Sequence, residues 1–302
     1  MKLFVFGHGY SASHYVGSVA SASVLAVTVR SIEKAERLAE SGVKALVFDG
    51  ENYAPDVAET LGEATHILVS VPPGHRAPPQ ARVGGANAPE GDPVLKLFAE
   101  TILTRCRDLQ WIGYLSTVGV YGDHDGLWVD EDTPVKPSSE RSKARVAAED
   151  GWKAVAERRG VPLAILRLSG IYGPGQNAFV SLRKGTAKRL IKPGQVFNRI
   201  HVEDIAGSLS LLADGRIGGI FNVTDDEPAP PQDVVAHAAD LAGVEPPPET
   251  RFEEADLSPM ARSFYGENKR VSNARIKHAG YTFRYPTYRE ALEALKGDCA
   301  PA

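Results

Sequence analysis

The chain has 302 residues, with 34 Lys and Arg against 38 Asp and Glu and a formal net charge of −4. That length can bury a sizeable core, and the charge balance makes no electrostatic case for nucleic acid or an anionic membrane. No apolar stretch approaches the roughly 18 residues of a membrane span, and the two cysteines, Cys106 and Cys299, suggest neither a disulfide framework nor a metal site, so a reducing cytoplasm is expected.

Residues 2–6 are a short apolar run of strand-forming types, too short for a signal segment. The run breaks at Gly7-x-Gly9-x-x-Ala12 and passes into a helix over 10–20. This is the pattern of a dinucleotide-binding turn. Gly7 permits the tight turn, Gly9 lets the backbone approach a pyrophosphate, and the small Ala12 lets helix and strand pack closely. The amides at the helix start, over Tyr10 and Ser11, face the phosphates. A second strand over 24–29 ends at Arg30-Ser31, where an acid would select NAD and an arginine accommodates the NADP 2′-phosphate. Arg30, Ser31 and Lys34 suit a phosphate, so NADP is preferred over NAD.

A helix over 32–40 and a strand over 43–48 follow, ending at Asp49, which reads either as an adenine contact or as a turn former. A helix near 54–61 leads to a strand over 66–71, and Val71 and Pro72 then fall beside the middle of the cofactor. Residues 72–93 form a Pro/Gly/Ala-rich loop carrying His75, Arg76 and Arg82, candidate substrate contacts or solvated charge. Asp92-Pro93 starts a helix to about residue 105. A strand over 109–115 delivers Ser116-Thr117-x-x-x-Tyr121-Gly122, and a helix over 138–159 carries Lys143. A strand over 162–168 ends in Ser169 and Tyr172-Gly173-Pro174-Gly175, where the βαβ rhythm loosens. Later come a short strand entering a helix over 197–206, a strand over 220–223, a helix over 232–242 and two last elements near 268–277 and 285–290. The expected fold is α/β: a Rossmann-type, doubly wound, mostly parallel sheet of about seven strands with a small C-terminal α/β substrate lobe. The expected division places an NADP-binding domain over 1–172 and a substrate lobe over 173–302, with 197–223 returning to the main sheet.

The ordered set Gly7-x-Gly9-x-x-Ala12, Ser116-Thr117-x3-Tyr121-Gly122, Lys143, Arg167…Tyr172-Gly-Pro-Gly and His201-Val-x-Asp204 resembles the extended short-chain dehydrogenase/reductases, the NAD-dependent epimerase/dehydratase family. The ending Lys269-Arg-Val-Ser-Asn-x-Arg-Ile-Lys with Tyr285-Pro-Thr-Tyr-Arg-Glu looks like the atypical bacterial subgroup. The resemblance implies a nicotinamide site in which Thr117, beside Ser116, hydrogen-bonds the substrate oxygen. Lys143 then binds the nicotinamide ribose, and Ser169 and Tyr172 line the cofactor. It implies a small-molecule substrate and a monomer or a homodimer formed through the helices at 93–105 and 138–159.

One position departs from the family. The catalytic tyrosine belongs one helical turn before Lys143, where this chain has Ser139. A tyrosine hydroxyl has a pKa near about 10 and comes within reach of neutrality beside a cation; a serine hydroxyl needs a separate base. Three readings stay open. Tyr121 reaches in as acid/base; Asp132, Glu140 or His201 serves; or the chain binds cofactor without turning it over. The two function classes are thus an NADP-dependent oxidoreductase or epimerase-like enzyme on a polar hydroxyl or carbonyl compound, and a non-catalytic NADP(H)-binding sensor or scaffold. His201 and Asp204 are balanced between touching ligand and tying a short strand to its helix.

Overall fold

The protein is described from a computed structural model, which covers residues 1–74 and 91–299. His75, Arg76 and Arg82 lie outside the described residues. In chain order the first elements are β1 (Leu3–Phe6), α1 (Tyr10–Ser18), β2 (Val24–Val29), α2 (Ile32–Glu40), β3 (Ala45–Val47), α3 (Asp56–Gly62), β4 (His66–Val69), α4 (Pro93–Thr104) and β5 (Trp111–Thr117). There follow β6 (Trp128–Val129), α5 (Glu140–Arg159), β7 (Leu163–Leu168), β8 (Gly170–Tyr172), α6 (Ala178–Arg183), β9 (Arg189–Ile191), β10 (Arg199–His201), α7 (Val202–Asp214) and β11 (Gly219–Val223). The last are α8 (Pro231–Ala242), β12 (Glu249–Arg251), α9 (Pro259–Phe264), β13 (Arg270–Val271), α10 (Ala274–His278) and α11 (Tyr288–Ala294).

Seven strands form one parallel sheet in the order β11-β7-β5-β4-β1-β2-β3. The order reverses between β1 and β4, which pair in parallel from Leu3↔His66 to Phe6↔Val69. Doubly wound sheets bind ligands at such a reversal, outside the carboxyl ends of the strands. All four residues of β1 are buried, as are those of β4, because helices cover both faces of a parallel sheet.

The chain divides into two compact units that interleave in sequence: residues 1–120, 137–167 and 206–221 in the first, and 121–136, 168–205 and 222–302 in the second. The first unit is cored by rings, with Phe6 and Phe48 lying 5.1 and 5.3 Å from Phe98. Asp92 caps α4 by accepting from the amides of Val94 at 2.9 Å and Leu95 at 3.0 Å, with Pro93 in the first turn as its fixed φ favours. Helix α5 starts two residues later than expected and ends at Gly160, in left-handed backbone at φ 64°. The second unit has three two-stranded pairs, β8–β10, β9–β12 and β6–β13, and a core of Phe179, Val234, Ala238, Tyr288 and Leu292. Among the described residues no helix is long and apolar enough to cross a membrane, and no cluster of His, Cys, Asp or Glu is able to hold a metal ion.

Candidate functional site

The first unit gathers its candidate residues at the carboxyl ends of β1, β2, β4 and β5, all on one edge because the strands run parallel. Gly7 leaves β1 at φ +88°, and its amide donates to Thr28 Oγ1 at 2.8 Å. A Cβ on Gly7 would stand 3.0 Å from Val71 Cγ2 and 3.2 Å from Val71 N, so the glycine is required twice, by backbone angle and by space. Gly9 contrasts with it. It caps α1 with no side-chain hydrogen bond, and a Cβ there would meet nothing within 4 Å. Ala12 is fully buried and Ser11 nearly so, which lets α1 lie close against the sheet. The turn is therefore packed on its inner side and open on its outer side at Gly9, where a pyrophosphate needs the backbone bare.

At the end of β2, Arg30 is exposed and Ser31 caps α2. Ser31 also hydrogen-bonds the exposed Glu33 carboxyl, holding it below the usual carboxylate range. Lys34, in the first turn of α2, sends its Nζ to the His8 carbonyl at 2.6 Å. A cation from the first turn of α2 thus reaches the glycine turn itself. Burial, and then the Lys34 charge, lowers the His8 pKa. Asp49 takes its second alternative: one carboxylate oxygen accepts from the amides of Glu51 at 2.8 Å and Asn52 at 2.7 Å, so it builds the turn, and these bonds lower its pKa. Val71 packs against Gly7, whereas Pro72 is exposed.

At the end of β5, Ser116 and Thr117 point to opposite faces by strand alternation. Ser116 Oγ donates to Glu149 Oε1 on α5 at 2.5 Å. Glu149 in turn receives the Arg167 guanidinium in two bonds, at 2.8 Å on Oε2 and 3.2 Å on Oε1. Glu149 and Arg167 are 1% and 3% exposed, so a buried ion pair anchors the Ser116 hydroxyl. Thr117 is half-buried and its Oγ1 accepts the Gly119 amide at 3.1 Å.

Helix α5 carries Lys143 in its first turn. Its amine pairs with Glu140 at 2.8 Å on the outer face and is 56% exposed. The face turned toward β5 carries Ser142, Arg145 and Glu149 instead. Arg145 Nη1 donates to the Leu115 carbonyl at 2.8 Å and to the Tyr114 hydroxyl at 3.2 Å, one residue below Ser116. Ser139 lies outside the helix, in extended backbone, as its N-cap. The sequence reading missed Ser142, Arg145, Glu149 and Thr28. A signal for three of them exists: the buried Trp152 sets a phase that runs back through Glu149, Arg145 and Ser142.

The remaining candidates belong to the second unit. Tyr121 is fully buried and its hydroxyl donates to Asn222 Oδ1 at 2.7 Å, which makes it part of the frame and not a phenol presented to substrate. Ser169 is buried, with its amide on the Val223 carbonyl at 3.2 Å. Tyr172 packs against the core of that unit, its ring 5.5 Å from that of His201, and burial pushes its phenol pKa up. Asp204 accepts from the Tyr281 hydroxyl and the Arg284 amide at 2.7 Å and from the Tyr285 amide at 3.0 Å, so it ties α7 to the chain's last segment. Of the other bases weighed, Asp132 pairs with Arg275 at 2.7 Å and Glu140 with Lys143.

The sequence profile of the NAD dependent epimerase/dehydratase family matches residues 97–223. Protein YeeZ of Escherichia coli (strain K12) is 31% identical over 177 residues, 57% of this chain and 58% of its own, so the match spans just over half the length of that curated relative. Among solved structures, a functionally unknown conserved protein from Silicibacter pomeroyi is 45% identical, with 99% of both chains covered and a TM-score of 0.83. The human epimerase family protein SDR39U1, solved with NADPH, shares the fold at 15% identity, with 98% of this chain and 99% of that one covered and a TM-score of 0.72. Residues 97–223 thus match the NAD dependent epimerase/dehydratase family, and they lie within a seven-stranded parallel α/β fold.

Proposed function

We propose that this chain is an NADP(H)-dependent oxidoreductase or epimerase-like enzyme acting on a polar, sugar-like hydroxyl or carbonyl compound. One observation carries the cofactor choice: at the end of β2 stand Arg30, Ser31 and Lys34, and the Lys34 amine lies 2.6 Å from the His8 carbonyl within the glycine turn. A 2′-phosphate has cations there, where NAD would need a carboxylate. The bare backbone over Gly9 fits the pyrophosphate, and α1 has no acid in its first turn to repel it. A human relative by fold was solved with NADPH, in keeping with this choice.

When bound, the nicotinamide supplies or accepts a hydride. The chain's own work is orientation. Gly7, Gly9 and the start of α1 hold the phosphates, Val71 backs the turn, and Thr117 meets the substrate oxygen. Ser116 is held beneath it by Glu149. In this reading the setting is cytoplasmic.

A calorimetric titration with NADPH and NADH tests the reading. NADPH is expected to bind at least about tenfold more tightly, a difference of about 1.4 kcal/mol. Preference for NADH overturns the Arg30–Lys34 assignment, and absence of binding by both overturns the enzyme reading. The second reading, a non-catalytic NADP(H) sensor, is favoured by one observation: Ser139 and Lys143 are committed to a helix cap and a surface ion pair. It requires that NADPH bind while no carbonyl or alcohol is turned over.

A further inference from the structure

Two hydroxyls of the first unit have an acceptor site filled and a hydrogen left to donate. Thr117 Oγ1 accepts the Gly119 amide at 3.1 Å, and Ser142 Oγ accepts the Ser139 hydroxyl at 2.9 Å. Ser139 Oγ itself accepts the Ser142 amide at 3.1 Å, so the two serine hydroxyls share one hydrogen bond and hold one hydrogen beyond it. Among the described residues nothing accepts the Thr117 O–H or that second hydrogen of the serine pair.

The two hydroxyls converge over Gly119. A Cβ at that position would stand 3.4 Å from Thr117 Oγ1 and 3.2 Å from Ser142 Oγ. Glycine keeps the approach between them clear. Ser142 is 5% exposed, so with Ser139 donating to it the Ser142 O–H is a buried donor whose desolvation cost an electron-rich ligand oxygen would relieve. Two preset donors at one point, out of bulk water, are the arrangement that stabilises charge developing on a carbonyl oxygen.

We propose that Thr117 and Ser142 clamp the substrate's carbonyl oxygen and that Ser142, refilled through Ser139, delivers the proton that a tyrosine delivers elsewhere in the family. The proposal deepens the oxidoreductase reading and rests on it. In reduction, the carbonyl carbon gains a hydride from the reduced nicotinamide, which is oxidised, and the carbonyl π pair moves to oxygen. That oxygen takes the Ser142 proton, Ser142 takes the Ser139 proton, and half-buried Ser139 takes one from water. Both serines end as they began. A serine hydroxyl and an ordinary alcohol are similarly acidic, so the transfer to a nascent alkoxide needs no shifted pKa. Oxidation of the alcohol runs back along the same relay, with its proton passing through Ser142 and Ser139 to solvent hydroxide.

The test uses the full chain with NADPH and three carbonyl probes, methylglyoxal, diacetyl and 4-nitrobenzaldehyde, followed by NADPH absorbance in H2O and D2O. Wild type is compared with Ser142→Ala and with Ser139→Ala, which removes the hydroxyl that refills Ser142. Both variants are expected to bind NADPH as wild type does, to lose about 10²-fold in kcat with a smaller change in KM, and to show an altered solvent isotope effect. A packing role alone would lower the melting temperature and leave kcat per folded molecule and the isotope effect unmoved. A kcat within about threefold of wild type in either folded variant overturns the clamp. If wild type binds NADPH but neither binds nor reduces any probe, the clamp is overturned while the cofactor assignment stands. If NADPH does not bind, the oxidoreductase reading falls and the clamp with it.

Discussion

Replacing Glu149 with Gln is expected to be among the most damaging single changes in the first unit. The carboxylate is 1% exposed and accepts two bonds from Arg167, itself 3% exposed, and a third from Ser116. Glutamine keeps the shape but leaves the guanidinium buried without a counter-charge, and breaking a buried pair this way costs about 3–5 kcal/mol. In a chain of this size that lowers the melting temperature by about 2–4 °C per kcal/mol. Arg167→Met alone should cost a similar amount, because the carboxylate is then stranded. The double change Glu149→Leu with Arg167→Met removes both charges and should recover about 1–4 kcal/mol relative to either single variant. Urea unfolding followed by tryptophan fluorescence reads the effect, since Trp111 and Trp152 are both fully buried in this unit. A Glu149→Gln variant within about 1 kcal/mol of wild type would refute the claim that the pair is dry and mutually dependent. Additive single and double changes would refute it equally.

Three further outcomes are expected. Gly9→Ala should leave stability unchanged, because its Cβ meets nothing within 4 Å, yet weaken NADPH by about tenfold or more, whereas Gly7→Ala, at φ +88° and 3.0 Å from Val71, should destabilise by about 1–3 kcal/mol; denaturation and calorimetry on the pair separate the two. Lys34→Ala should weaken NADPH about tenfold and leave NADH affinity unchanged, and equal loss for both cofactors would remove Lys34 from the 2′-phosphate. His66 is held neutral by burial, with its pKa below the ordinary 6.5, between Thr65 Oγ1 at 2.9 Å and the Ala213 carbonyl at 3.2 Å. Its contribution is therefore fully present above about pH 6.5 and is lost as pH falls toward its folded-state value. The urea midpoint should drop between about pH 7.5 and pH 5.5 more in wild type than in His66→Phe, and parallel curves would show that His66 is not the sensor.

The first half of the sheet was legible because its strands are uninterrupted apolar runs with turn residues at each end. The run at β1, the switch at Gly7 and the burial of Ala12 follow from residue type alone. What was not legible is direction within a helix. Family spacing selects Lys143, but a shift of one or two residues turns a side chain by about 100–200°, and the packing of Ala148, Trp152 and Val155 decides which face is inward. That phase puts Arg145 and Glu149 under β5 and Lys143 in water. Strands β8, β9 and β12 of the second unit were missed for a simpler reason. Each has three residues, too few for alternation to declare itself, and each is held by a partner distant in sequence, such as the pairing of Arg189 with Glu249. Asp204 was ambiguous for the same cause: its three donors come from Tyr281, Arg284 and Tyr285, about eighty residues away.

Position 139 shows why restoring a tyrosine should not restore the family's chemistry. The spacing is intact, because the Lys143 amide bonds to the Ser139 carbonyl at 2.9 Å, one turn away. The backbone at Ser139 is nevertheless extended, at φ −103° and ψ 153°, so its side chain leaves from outside the helix and folds over the first turn to reach the Ser142 amide. A phenol cannot make that cap, and losing it costs about 1 kcal/mol. No cation waits for the phenol either, since the Lys143 amine is on the outer face with Glu140. Ser139→Tyr is therefore expected to lower the melting temperature and to reduce carbonyl turnover, because it also removes the donor to Ser142. A gain in NADPH-dependent turnover in this variant would mean that Lys143 swings inward to meet the phenol, and that the serine pair is a remnant of the tyrosine site and not its replacement.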